Sequence, residues 1–123
     1  MEELLDALLA AIDSGSGIEE SLARAAAVAQ SHYQRERPFL DRLALFEGAL
    51  AGKLAAQHEE AVEIAARFDE ALAAGQSRDV IALARRFHAI AQHNIIEEER
   101  DAFPLADRCF TEAEQRQLLR AIT

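Results

Sequence analysis

Residues 18–45 read IEESLARAAAVAQSHYQRERPFLDRLAL, and their apolar pattern predicts one long amphipathic helix. At about 100° per residue, one set of positions falls within a third of the helix circumference. These positions are Ile18, Leu22, Ala25, Ala29, His32, Glu36, Phe39 and Leu43. The stripe that should face the core therefore contains a histidine and a carboxylate. Pro38 lacks a backbone N–H, so we expect it to bend or interrupt the helix around residues 34–37.

Further amphipathic segments lie on either side of this stretch. The predicted helices span residues 2–13, about 53–74 after a turn bracketed by Gly48 and Gly52, about 78–100, and 112–122 behind a capping box at Thr111 and Glu114. Short turns between sequential helices indicate an all-α fold. We expect an antiparallel up-down four-helix bundle with a short C-terminal helix, forming a single domain over residues 1–123.

The composition and net charge of the chain limit the classes of partner that it is expected to bind. The 123 residues include 22 acidic and 13 basic side chains, and the net charge of -9 disfavours nucleic acid. No apolar run approaches the roughly 20 residues that span a bilayer, so we expect no membrane partner. The acidic N-terminus lacks the basic flank of a secretory signal, so we expect a cytoplasmic protein. Cys109 is the single cysteine, and we interpret it as a small hydrophobic residue.

Two histidine–carboxylate pairs and a third histidine carry the candidate chemistry. His32 and Glu36, like His93 and Glu97, are four residues apart, which stacks both side chains on one helix face. His58 falls in the predicted apolar stripe of the next helix. Burying an unpaired carboxylate costs several kcal/mol, so each glutamate needs a cation or a hydrogen-bond partner. We expect all five side chains to face the core and to bind iron, zinc or manganese, which accept imidazole and carboxylate ligands.

Three other polar residues lie on the predicted fourth helix. His88 lies about 140° from His93 on the helical wheel, and we interpret it as a packed or interface histidine. Arg86 and Glu98 form either a solvated pair or neighbours of the metal ligands.

These motifs together resemble the hemerythrin-like, HHE cation-binding family over roughly residues 18–108. The motifs are His32-x-x-x-Glu36, His58, and His93-x-x-x-Glu97 followed by Phe103-Pro104-Leu105. The resemblance implies a four-helix bundle around a non-haem diiron centre that binds dioxygen or a related small ligand. Glu36 and Glu97 resemble the carboxylates that bridge the two irons. His32, His58 and His93 resemble the terminal imidazole ligands.

The chain departs from the family pattern in two places. It has no histidine before His32, although the family's first-helix ligand would fall near Met1 or upstream, with Glu2 the nearest substitute. The third helix has one histidine where dioxygen-carrying members have two. We therefore expect a binding or sensing protein and not primarily an enzyme. Its role would be to bind or sense a small ligand, or to handle iron and redox chemistry. The alternative is a metal-free degenerate bundle that acts as an interaction or oligomerisation module, with uncovered apolar surface favouring a homodimer.

Overall fold

A computed structural model describes residues 1–122, and within them the chain is all-helical, without strands. The elements are α1 (Glu2–Ser14), α2 (Ile18–Leu43), α3 (Gly48–Ala73), α4 (Ser77–Glu97), a π-helical turn (Glu98–Ala102), α5 (Phe103–Cys109), α6 (Glu112–Glu114), a second π-helical turn (Gln115–Leu119) and α7 (Arg120–Ile122). None of the helices in residues 1–122 combines the length and the apolar content that crossing a membrane requires.

Two helix ends are determined by local sequence signals, a glycine after α1 and a capping box before α6. α1 ends at Gly15, whose φ of 73° belongs to the left-handed region that glycine adopts without strain. The capping box is confirmed, because the Glu114 N–H donates to Thr111 Oγ1 and the Thr111 N–H donates to Glu114 Oε1.

α2 runs without interruption from Ile18 to Leu43, so Pro38 does not interrupt the helix around residues 34–37. Pro38 is exposed and removes one helical hydrogen bond, but the next turn buries Phe39 and Leu43, which stabilises the helix beyond the proline. The predicted stripe of α2 is otherwise confirmed, since six of its eight positions are buried and Ile18 and His32 are half-buried.

α3 begins at Gly48, five residues before the predicted start. Gly52 therefore lies inside the helix and not in a turn, on an exposed side where a Cβ would meet nothing. Burial of Ala51 and Leu54 against the core extends the helix through these glycines.

Four helices form a closed ring: α1 packs against α2 and α4, and α3 packs against the same two helices. Two hydrophobic clusters fill the interior. The first cluster includes Leu8, Leu22, Ala29, Ala61, Phe68, Phe87 and Ala91. The second cluster includes Phe39, Leu43, Leu54, Ala102, Ala106, Phe110 and Ile122, with Cys109 packed against it.

Buried polar side chains separate the two hydrophobic clusters. On α2 they lie between Ala29 and Phe39, and on α3 they lie between Leu54 and Ala61. We call this zone the polar layer; its buried members are Glu36, His58, Asn94, Glu97 and Glu98. The apolar clusters on both sides shield these groups from water.

The π-helical turn Glu98–Ala102 adjusts the register of the last long helix where it passes through the polar layer. Residues spaced by four drift about 40° around an α-helix at each step. The wider turn absorbs part of that drift, so Asn94, Glu98, Ala102 and Ala106 are all buried.

Phe39 provides a test of the second cluster, because its ring packs against Phe103 and Phe110 with centroids 5.6 and 5.5 Å away. We expect Phe39→Ala to lower the free energy of unfolding by about 3–5 kcal/mol, measured by denaturant titration. The control Leu45→Ala truncates a side chain that is 71% exposed and should change the value by less than about 0.5 kcal/mol. Equal effects of the two substitutions would contradict the cluster.

Candidate metal site

Glu36 is the most deeply buried carboxylate of α2, with 1% of its surface exposed. His32 stands one turn earlier, and its Nε2 lies 2.5 Å from Glu36 Oε1. Within residues 1–122 neither carboxylate oxygen has a partner at hydrogen-bond geometry, although His32 and His58 make close ionic contacts with them. Glu36 is therefore a buried anion whose nearest neighbours are ring nitrogens at contact distance.

His58 enters the same site from α3. Its Nε2 lies 3.1 Å from Glu36 Oε2, 3.0 Å from Glu98 Oε1 and 3.2 Å from Asn94 Oδ1. Its ring stacks on Tyr33 with centroids 3.9 Å apart and planes 9° from parallel. This stacking fixes the ring plane and aims Nε2 at the oxygens. We call His32, Glu36, His58 and Glu98 the Glu36 cluster.

Glu98 is the member of the cluster that was not predicted as a ligand. It is only 4% exposed and contacts His58, so the solvated pair with Arg86 is wrong and the alternative position beside the predicted ligands is the one observed. Arg86 instead pairs at the surface with Glu60 through a contact of 3.2 Å. The sequence does contain a signal for the burial of Glu98. Phe87, Ala91 and Asn94 follow one another at intervals of four and three residues on one helix face, and the next position of that face is Glu98.

His93 and Glu97 form a separate group with α3. Glu97 is 1% exposed, and its Oε1 lies 2.6 Å from His93 Nε2 and 2.8 Å from Lys53 Nζ. Its Oε2 accepts a hydrogen bond of 3.2 Å from Gln57 Nε2. We call Lys53, Gln57, His93 and Glu97 the Glu97 group.

The side chain of His93 is 58% exposed, so the prediction that it faces the core is wrong. The helical wheel explains the error, because His93 lies about 120° from the buried Phe87 at about 100° per residue. The buried stripe of α4 runs through Phe87, Ala91 and Asn94 towards Glu98, and His93 lies one residue outside it. Glu97 is still buried because α3 packs closely on α4.

Asn94 joins the two groups. Its Oδ1 faces His58, and its Nδ2 donates a hydrogen bond of 2.9 Å to Gln57 Oε1. The five predicted ligands thus divide between two groups in the polar layer. His32, Glu36 and His58 belong to the first, and His93 and Glu97 belong to the second. His88, at the level of the first hydrophobic cluster, is half-buried.

His32, Glu36 and Glu98 could hold a metal ion, because each offers a ligand atom and these atoms all lie within 4.8 Å of one another. Two ligands at about 2.1 Å from a common ion stand at most about 4.2 Å apart, so small side-chain rotations bring this set to bonding distance. His58 Nε2 points at the same carboxylates and could add a second imidazole.

Burial and the neighbouring charges set the protonation of the cluster. Burial acts to raise the pKa of Glu36, but the adjacent His32 and His58 outweigh it and hold the pKa at about 2. Burial acts to lower the pKa of His58, but Glu36 and Glu98 outweigh it and raise the pKa to about 9. Burial, aided by the nearby Glu36, raises the pKa of Glu98 to about 7 although His58 opposes the change. Without a metal, an imidazolium therefore holds the two carboxyl groups together.

A groove of about 510 Å³ runs between α2 and α3, and Tyr33 and His58 are among its lining residues. A small molecule in this groove can therefore reach the His58 side of the cluster. Comparison of the chain with protein-family models, with curated proteins and with solved structures finds no match. The chemistry of the site therefore rests on its own residues.

The raised pKa of His58 predicts how the metal-free protein responds to pH. Because its pKa is about 9 in the folded protein and near 6.5 when unfolded, its stabilising charge is fully present below pH 6.5 and is lost as pH rises through 9. We expect the free energy of unfolding to fall by about 3 kcal/mol over this range, measured with chelator present. Glu98 also titrates in this range, so the comparison uses Glu98→Gln as the background: adding His58→Gln to it should remove the remaining decline, and an unchanged slope in the double variant would refute the assignment.

Proposed function

We propose that the chain is a hemerythrin-like metal-binding protein that holds non-haem iron and binds a small ligand such as dioxygen, for sensing or for iron and redox handling. His32, Glu36 and Glu98 supply the ligands, with His58 as a fourth. The observation that carries the proposal is the close approach of His32, Glu36 and Glu98, whose ligand atoms all lie within 4.8 Å of one another around a carboxylate that is 1% exposed. Buried carboxylates need a positive charge beside them, and a metal ion could provide it in place of the proton on His58.

The proposed architecture is an antiparallel up-down four-helix bundle in a single domain. The order of the two hydrophobic clusters along the chain supports it. α2 passes from the first cluster to the second, α3 returns from the second to the first, and α4 passes again towards the second. Bundles of this kind build metal sites from inward His and Glu residues on facing helices.

The donor set favours iron among the candidate metals. Two imidazoles with carboxylates and no thiolate suit iron, manganese and zinc, and disfavour copper(I). A site with imidazole and carboxylate ligands that keeps open positions is typical of non-haem iron(II) proteins that use dioxygen. The groove beside His58 supports access by a molecule of that size.

A second candidate function is a metal-free interaction or oligomerisation module. It is favoured by the internal charge pairing of the polar layer, in which His58 lies between Glu36 and Glu98 while Lys53 pairs with Glu97. Such a network satisfies much of the need for counter-charge without an ion. In this case the chain would act as a homodimer that associates through exposed apolar side chains, including Val28 and Val62.

Anaerobic titration with iron(II), followed by metal analysis of the desalted protein, tests the two candidates. The iron proposal predicts tight binding by the natural sequence and at least a tenfold loss of affinity in Glu36→Gln and in Glu98→Gln. The matched control is Glu99→Gln, which makes the same change at the exposed neighbour of Glu98. Binding should also raise the melting temperature.

Two results would reject the iron proposal. One is a melting temperature that does not respond to iron, zinc, manganese or chelator, which is the outcome expected of the metal-free module. The other is iron binding that Glu36→Gln and Glu99→Gln weaken equally.

A further inference from the structure

The Glu97 group contains a buried carboxylate of the polar layer that contacts an ammonium group. Glu97 Oε1 lies 2.8 Å from Lys53 Nζ and 2.6 Å from His93 Nε2. His93 stands one turn before Glu97, just as His32 stands one turn before Glu36. The two pairs therefore offer the same donor atoms, but only the Glu97 pair has an ammonium group on its carboxylate.

Lys53 is the single lysine among the 13 basic residues of the sequence. Its side chain is 58% exposed, while the carboxylate that its Nζ contacts is 2% exposed. The aliphatic stem thus lies near the surface and the charged end reaches a buried anion. An ammonium is a compact point charge with three donors, whereas a guanidinium is a broad planar fork. Lysine is therefore the side chain that most closely resembles a bound cation at this position.

We propose that Lys53 replaces a second metal ion: its ammonium is a tethered cation on Glu97, and it makes the metal site of this chain mononuclear. This inference rests on the proposed function, because it concerns the number of ions that the polar layer holds. Removing Lys53 should expose Glu97, His93 and the Gln57 amide oxygen as ligands for a second ion.

Electrostatics explains why the ammonium and a second ion exclude each other. An ion bound to Glu97 and His93 would share Oε1 with Lys53 Nζ, which stands 2.8 Å from that oxygen. Two cations on one oxygen in a partly buried site repel strongly. Lys53 also lowers the pKa of Glu97 and keeps it ionised, so the carboxylate is already neutralised by a positive charge.

The Glu36 cluster has no corresponding obstacle. Its positive group is His58, which loses its charge by releasing a proton and can then offer Nε2 as a ligand. Lys53 has no lone pair while it stays an ammonium. Glu36 and Glu97 therefore differ in the kind of cation beside them: the cation beside Glu36 is exchangeable, and the cation beside Glu97 is part of the chain.

The test counts metal ions per protein after anaerobic titration with iron(II) and, separately, with zinc(II). Lys53→Met keeps an unbranched apolar stem and removes the charge. Arg67→Met is the matched control, since it removes one positive charge from an exposed residue of α3 that pairs with Glu63. Lys53→Arg keeps the charge at the site. Circular dichroism establishes that each variant is folded.

The inference predicts one ion in the natural sequence, in Arg67→Met and in Lys53→Arg, and two ions in Lys53→Met. The double variant Lys53→Met with Glu97→Gln should return to one ion. Two ions in the natural sequence, or a single ion in folded Lys53→Met, would overturn the inference and leave the iron site intact. No bound ion in the natural sequence would instead overturn the proposed function.

Discussion

The structure depends on one constraint, the burial of the Glu36 carboxylate in the middle of α2. A charge with 1% exposure cannot rely on water, so the neighbouring helices must supply positive or polar groups. His32 lies on the same helix, His58 lies on α3, and Glu98 is the first residue of the π-helical turn. The polar layer and the division of the apolar core into two clusters both follow from this requirement.

Two of the buried glutamates in the layer, Glu36 and Glu97, have different partners, and this difference has a chemical consequence. Glu36 lies beside imidazoles and a carboxyl group whose protons a metal ion can displace. Glu97 lies beside an ammonium that keeps its proton. A layer of this kind combines a position open to an exchangeable cation with a position whose cation is covalently part of the chain.

Much of the fold follows from sequence periodicity, whereas the composition of the site depends on finer geometry. The stripe of α2, with His32 and Glu36 in it, and the capping box at Thr111 were predictable because they are local. The outward position of His93 and the inward position of Glu98 were not predicted, since a displacement of one residue turns the predicted face of α4 by about 100°. The π-helical turn and the ammonium of Lys53 arise from packing between distant helices, which no single-helix pattern contains.

The most direct measurement of the central claim is anomalous diffraction at the iron edge from crystals grown anaerobically with iron(II). We predict a peak within bonding distance of His32 Nε2 and of the carboxylates of Glu36 and Glu98. A well-ordered crystal with no peak in the polar layer, or with iron bound only at surface carboxylates, would contradict the assignment of this cluster as a metal site.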